Sequence, residues 1–250
     1  MSDSKFIDTP EGRRIAYHKT EGAGPCVVFL GGLKSDMMGT KAVYLEDWAR
    51  AEGRAFLRFD YSGHGESSGS FAEGCIGDWH EDTLAAVTAL TEGPLIVVGS
   101  SMGGWQALLL ARQRPERIAG LVGIAAAPDF TEDGYWANFT EAQKQTLAEV
   151  GQVELPSDYM EPYVITRRMI EDGRKRLVLR EALDLPFPVR LLQGTADTAV
   201  STATAVRLLE HAQSPDMQLT LVKDADHRFS DARCLAMIVA AINEISGREG

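Results

Sequence analysis

Cysteine is scarce in this chain, and its three copies, Cys26, Cys75 and Cys234, form no Cys-x-x-Cys pair. That spacing disfavours both a disulfide-stapled secreted scaffold and a thiolate metal site, so the three read as reduced core residues. Histidine is sparse as well. The five copies, His18, His64, His80, His211 and His227, include no His-x-x-x-His pair, and the Gly-x-Gly-x-x-Gly fingerprint is missing. Neither a metal nor an organic cofactor is therefore expected. No run of 18 apolar residues occurs, and no apolar segment follows Met1-Ser2-Asp3-Ser4-Lys5, which excludes a membrane span and a signal peptide from the expectation. The early acids Asp3, Asp8 and Glu11 also argue against a transit peptide. Positive charge is in deficit: 25 Lys and Arg stand against 36 Asp and Glu, a net charge of −11, so no nucleic-acid partner is expected. The expected location is a bacterial cytoplasm. Oligomeric state leaves no trace in the sequence.

What is present is a long alternation of buried strands and amphipathic helices, without internal repeats or low-complexity tracts. At 250 residues and 44% hydrophobic content the chain can bury a sizeable core. Phe6–Thr9 and Arg14–Lys19 flank Pro10-Glu11-Gly12-Arg13 as an N-terminal hairpin. Strand-like runs follow at Val27–Leu30, Ala55–Phe59, Leu95–Val98, Leu121–Ile124, Val189–Leu192 and Leu219–Val222. Helical patterns at Ala42–Ala51, Trp79–Leu90, Gly104–Arg112, Val200–His211 and Ala232–Ile245 lie between or after them. Apolar strands alternating with helices predict an α/β protein with a mostly parallel central sheet covered on both faces.

The chemistry concentrates in the turns after those strands. Gly99-Ser100-Ser101-Met102-Gly103 joins the run Leu95–Val98 to a helix and reads as a nucleophile elbow, with Ser101 at the tip and small residues two before and two after it. Asp197 follows Val189–Leu192 in the turn Gln193-Gly194-Thr195-Ala196-Asp197, and His227 follows Leu219–Val222 in Asp224-Ala225-Asp226-His227. Serine, acid and histidine in that order are what acyl transfer needs on such a scaffold. The imidazole takes the hydroxyl proton and the carboxylate fixes its tautomer. Asp129, after Leu121–Ile124, is the rival for the acid. The oxyanion donors are expected to be the backbone N–H of Met102 and, from the early loop Gly31-Gly32-Leu33, that of Leu33. His64, in Ser62-Gly63-His64-Gly65, is expected to serve loop geometry, and His18, His80 and His211 stand in strand or helix contexts without a partner pattern.

Three segments carry a family resemblance: Gly31 through Gly39-Thr40-Lys41-Ala42, Phe59-Asp60-Tyr61-Ser62-Gly63-His64-Gly65-Glu66-Ser67, and Val98-Gly99-Ser100-Ser101-Met102-Gly103-Gly104-Trp105. With Pro115-Glu116-Arg117, Arg190-Leu191-Leu192-Gln193-Gly194 and Asp226-His227-Arg228, they make the chain similar to the palmitoyl-protein thioesterase and acyl-glucuronide esterase branch of the α/β-hydrolases. Animal members of that branch are mitochondrial. The resemblance spans nearly the whole chain and is weakest between about Asp129 and Leu183. The family loop reads Pro-Gly-Tyr where this chain has Gly31-Gly32-Leu33, which keeps the backbone donor and changes the pocket wall.

In that fold the interval 128–185, which breaks the strand–helix alternation, holds a small helical lid over a core made by 1–127 and 186–250. Asn138–Val150 and Asp158–Asp172 are its expected helices. Trp136, Phe139, Tyr159 and Tyr163 are the expected substrate-side aromatics, with Tyr135 beside them. Arg167, Arg168, Arg174, Lys175, Arg176 and Arg180 form a basic cluster, either an anion clamp or a solvated face balanced by Glu171, Asp172 and Glu181, the second being preferred. The expected activity is hydrolysis of acyl esters or thioesters through an acyl-enzyme. By resemblance, the substrates carry a medium or long acyl group, on a small molecule or an S-acylated protein. The alternatives are a short-chain carboxylesterase and a weakly catalytic ligand-binding protein on the same scaffold.

Overall fold

The computed structural model describes residues 4–156 and 162–247. In chain order its strands are β1 Lys5–Asp8, β2 Arg14–Thr20, β3 Ala23–Leu30, β4 Arg54–Phe59, β5 Leu95–Ser100, β6 Ile118–Ile124, β7 Gln152–Leu155, β8 Tyr163–Thr166, β9 Leu183–Asp184, β10 Val189–Gly194, β11 Ala212–Gln213 and β12 Met217–Val222. The α-helices are α1 Thr40–Ala51, α2 Ile76–Leu90, α3 Met102–Gln113, α4 Glu141–Val150, α5 Arg167–Gly173, α6 Thr202–His211 and α7 Ala232–Ile245. Eight strands form one sheet in the order β1-β2-β4-β3-β5-β6-β10-β12. In this sheet β1–β2 and β2–β4 pair antiparallel, and every pairing from β4–β3 to β10–β12 is parallel.

Why the central strands read as continuous apolar runs is visible in the way they divide. Successive side chains of a strand point to opposite faces, so a strand covered on both sides must be apolar throughout. Val28 and Leu30 join Val97 and Leu191 on the face that packs against α2 and α3, where Trp79 and Trp105 are fully buried. Val27, Phe29, Ile96, Val98 and Val122 point the other way, onto Leu45 of α1 and Leu235 and Ile238 of α7. Among the described residues no helix is long and apolar enough to cross a membrane.

The segment between β6 and β10 differs from the helical expectation. Phe130–Trp136 winds as a wide π-type turn, and α4 begins at Glu141 rather than Asn138, because Thr140 caps it in a capping box with Gln143. The second expected helix, Asp158–Asp172, is helical only from Arg167. Tyr163-Val164-Ile165-Thr166 is instead a strand, paired antiparallel with Gln152–Leu155. An aromatic followed by β-branched residues fits a pleated strand better than a helix, and Thr166 then caps α5 by accepting the Met169 N–H. Residues 158–161 of that expectation, Tyr159 included, lie outside the described residues.

Candidate active site

The turn between β5 and α3 is forced into its shape by crowding. A Cβ on Gly99 would stand 2.3 Å from the Gly103 carbonyl oxygen, and one on Gly103 would stand 2.0 Å from that of Leu30. Only glycine leaves room for strand and helix to approach so closely. Ser101 sits at the tip with φ 55° and ψ −118°, a conformation that costs a non-glycine residue about 1–3 kcal/mol. Surrounding hydrogen bonds hold it there. The Ser101 N–H donates to the Ile124 carbonyl (2.9 Å), while its carbonyl accepts from the N–H groups of Gly104 (2.9 Å) and Ala127 (3.0 Å). The side chain is thereby lifted out at the carboxyl edge of the sheet.

His227 reaches the same point from the loop between β12 and α7, and Asp197 from the turn after β10. His227 Nε2 lies 3.2 Å from Ser101 Oγ, and His227 Nδ1 lies 2.8 Å from Asp197 Oδ2. An ionised carboxylate only accepts, so Nδ1 carries the ring proton and Nε2 presents a lone pair to the hydroxyl. Asp197 Oδ1 also accepts the N–H groups of Ala199 and Val200, each at 2.8 Å, and Oδ2 accepts Gln193 Nε2 at 3.0 Å. Burial pushes the Asp197 carboxyl up, but the His227 bond, the Val200 N–H and Gln193 outweigh it, leaving the group below the ordinary aspartate value.

The early loop lies directly against Ser101: a Cβ on Gly32 would be 3.4 Å from Ser101 Cβ. Leu33 follows it, and Met102 opens α3, whose first N–H groups have no acceptor within the helix. The loop is clamped from the turn after β4. Asp60 Oδ1 accepts the Met37 N–H at 2.6 Å and Oδ2 accepts the Glu66 N–H at 2.9 Å, so one carboxylate ties the two loops together. The Lys34 N–H donates to His64 Nε2 at 3.1 Å. Lys34 Nζ donates to the Pro162 carbonyl at 3.3 Å and lies 5.5 Å from the ring centres of Phe71 and Tyr163.

Other predicted residues do different work. Asp129 is buried and accepts the N–H groups of Val178 (2.8 Å) and Leu179 (3.0 Å) together with Arg180, which ties the segment before β10 to the end of β6. Phe139 is buried and stacks on Tyr135, which meets Phe130 and through it Trp105. Trp136 lies between two cations, with the Arg174 guanidinium 4.4 Å and Lys144 Nζ 5.4 Å from its ring centre. The arginines of the basic cluster meet acids: Arg168 bonds Asp78 at 2.6 Å, Arg174 bonds Glu132 at 2.6 Å, and Arg180 bonds Asp129 and Asp133. Arg167 and Arg176 lie 3.8 Å from Glu171 and Asp172. A cavity of about 510 Å³ between α2 and α5 is lined by carboxylates as well as these cations, and neither Ser101, Asp197 nor His227 lines it. Each of these five arginines thus has a carboxylate oxygen within 4 Å.

Two contributors escaped sequence reasoning. Gln193, 1% exposed, presents its amide to Asp197 from four residues upstream, and nothing local marks that contact. Lys41, from the Gly39-Thr40-Lys41-Ala42 segment, donates to the carbonyl of Arg228, the residue after His227, and burial pulls its ammonium down to about 8. That family-specific segment was the available signal. The remaining histidines have partners too: His80 meets Gln113 Oε1 at 2.6 Å and His211 the Glu181 carbonyl at 2.7 Å.

Comparison with known proteins identifies the fold and the family. Residues 42–171 match the family model described as the alpha/beta hydrolase fold. The rat protein named palmitoyl-protein thioesterase ABHD10, mitochondrial, is 35% identical over 242 residues, covering 96% of this chain and 81% of that one. Among solved structures, the mouse alpha/beta hydrolase domain-containing protein 10 superposes with a TM-score of 0.90 at 34% identity, covering 98% of both chains. A structure from Agrobacterium vitis S4 superposes at 0.93 with 39% identity, covering 97% of this chain and 98% of that one.

Proposed function

The chain belongs to the α/β-hydrolase family, and from that premise we propose that it is a serine hydrolase cleaving medium- or long-chain acyl esters or thioesters. The observation that carries this reading is the run of contacts from Ser101 Oγ through His227 to Asp197, at 3.2 and 2.8 Å. Ser101 Oγ attacks the acyl carbonyl carbon while His227 Nε2 takes its proton. Asp197 orients the ring and stabilises the imidazolium. The N–H groups of Met102 and Leu33 hold the oxyanion, the contribution of one such donor being about 3 kcal/mol of barrier. The intermediate then expels the thiol or alcohol, which leaves with the proton from His227, and water hydrolyses the Ser101 ester by the same route.

The insertion 128–185 serves as the lid over the core of 1–127 and 186–250, and among its described aromatics Phe139 and Tyr163 are the candidates to face the acyl chain. The substrate side is a small acyl ester or an S-acylated protein, in keeping with relatives named for palmitoyl-protein thioesterase activity. Three buried, unpaired cysteines favour a reducing compartment, and we assign the chain to the cytoplasm.

The test is kcat/KM across 4-nitrophenyl esters from acetyl to palmitoyl and across acyl thioesters, with Ser101→Ala as the blank. A Ser101-dependent optimum at the longer chains is expected. An acetyl or butyryl optimum would replace it with a short-chain carboxylesterase, and turnover no higher than the blank would leave only ligand binding on a hydrolase scaffold.

A further inference from the structure

His64, like His227, has bonds that run into the loops around Ser101. It is 4% exposed and enclosed by the rings of Tyr61, Phe71 and Trp79, with centroid separations of 5.7, 5.4 and 5.2 Å. Both ring nitrogens are committed. Nδ1 lies 3.1 Å from the Ser62 carbonyl, which can only accept, so Nδ1 carries a proton. Nε2 lies 3.1 Å from the Lys34 backbone nitrogen, which can only donate, so Nε2 carries none. The ring is therefore the neutral Nδ1–H tautomer, with every valence specified by its neighbours.

What this ring holds is the peptide next to the oxyanion donor. Gly32 to Ser35 forms a tight turn closed by the Ser35 N–H on the Gly32 carbonyl at 3.1 Å. That carbonyl belongs to the same peptide unit as the Leu33 N–H, so the turn sets the direction in which the donor points. The third position of the turn is Lys34, at φ 57°, where glycine is the ordinary occupant. A side chain there costs about 1 kcal/mol or more unless the surroundings hold it. His64 supplies that hold, and it is itself rigidly mounted. The Ser62 carbonyl also accepts Trp79 Nε1 (3.0 Å), and the Ser62 N–H and Oγ donate to Asp82 (2.8 and 2.6 Å), which is paired with Arg13 at 2.7 Å.

We propose that His64 is a positioning residue for the oxyanion hole: its neutral Nε2 fixes the Lys34 amide, and through the Gly32–Ser35 turn the direction of the Leu33 N–H. It touches no reacting atom. Burial holds the imidazole below the ordinary histidine value, against a smaller opposite pull from the Ser62 carbonyl, which preserves the tautomer. An added proton would set N–H against N–H and release the turn. This inference rests on the serine-hydrolase reading for its kinetic consequence, while the tautomer stands apart from it.

The experiment compares His64→Phe, which keeps a ring but offers no acceptor, with His64→Gln, whose side-chain oxygen replaces the Nε2 acceptor. Expected for His64→Phe is a fall in kcat of about 10- to 100-fold on a 4-nitrophenyl ester with KM within about threefold, and recovery of most of that loss in His64→Gln. Labelling by a fluorophosphonate, which needs the same hole, should slow in parallel. A kcat for His64→Phe within twofold of wild type, or an equal loss in both variants, would overturn the proposal. Nitrogen NMR of the wild-type ring at neutral pH decides the matter even where neither variant folds: a protonated Nε2 refutes it, and the Nδ1–H tautomer supports it. Absence of any Ser101-dependent turnover in wild type would instead refute the hydrolase reading, leaving the tautomer result to be judged alone.

Discussion

Two turns at the carboxyl edge of the sheet, one after β6 and one after β10, each carry an aspartate whose carboxylate is fully buried, and the two do opposite things. Asp129 spends its oxygens on the backbone of Val178 and Leu179 and on Arg180, so it fastens a distant stretch of chain. Asp197 spends its own on the local N–H groups of Ala199 and Val200, on Gln193 and on His227. Burial raises Asp129 above the ordinary aspartate value despite its N–H donors, whereas at Asp197 the His227 bond and the other donors overcome the same penalty. Burial at a strand end therefore does not identify a catalytic acid. What separates the two is the imidazole that Asp197 meets.

Asparagine at each position sharpens this contrast most. Asp197→Asn is expected to lower kcat by about 10³- to 10⁴-fold while Tm stays within about 2 °C, because the amide presents the wrong face to Nδ1 and the turn survives. Asp129→Asn is expected to do the reverse, costing about 2–4 kcal/mol of unfolding free energy through a weakened buried bond set to Val178 and Leu179, with kcat/KM of the folded fraction changed by less than about threefold. Urea unfolding and ester kinetics on both variants check the pair. A dead, fully stable Asp129→Asn would reverse the assignment of the acid.

Acid should probe the same difference more gently. His18, His64 and His80 are each held below the ordinary histidine value, chiefly by burial. Where the folded value is the lower one the unfolded chain binds more protons, so stability is full above about pH 6.5 and falls as the pH drops toward the folded values. Burial raises Asp60, Asp82 and Asp129, which act oppositely further down because the folded state takes up their protons first. Calorimetry between about pH 7.5 and 6 should show Tm falling by a few degrees, with a shallower slope in His80→Gln. A Tm flat across that interval would exclude the histidine contribution.

The smallest effect is expected on the outer face of the insertion. Arg174→Gln breaks the pair with Glu132 and the contact with Trp136, both partly exposed, and should cost about 0.5 kcal/mol. The ratio of kcat/KM for anionic against neutral esters should stay unchanged. A tenfold shift in that ratio would revive the anion clamp.

Legibility in the sequence tracks the range of the forces involved. The elbow was readable at Gly99 and Gly103, where a Cβ has no room, and the five buried strands β3, β4, β5, β6 and β10 were readable because coverage on both faces demands unbroken apolar runs. The insertion was not. Its β7–β8 hairpin pairs Gln152 with Thr166 across a stretch that helical periodicity appeared to claim, and it is fastened by bonds such as Gly77 N–H to Asp172 that span 95 residues. Gln193 was equally hidden, since a glutamine within an apolar strand says nothing about the carboxylate it faces.

By itself, then, the sequence determined the alternation of strand and helix, the strained turn that raises Ser101, and the placing of a serine, two candidate acids and a histidine in turns after successive strands, because these follow from local sterics, period and turn chemistry. Only the tertiary structure decided which of two buried aspartates meets an imidazole, which tautomer His64 holds, and how the arginines of the insertion are paired. Those outcomes depend on groups far apart in the chain, whose contacts exist only once the sheet has brought its carboxyl edge together.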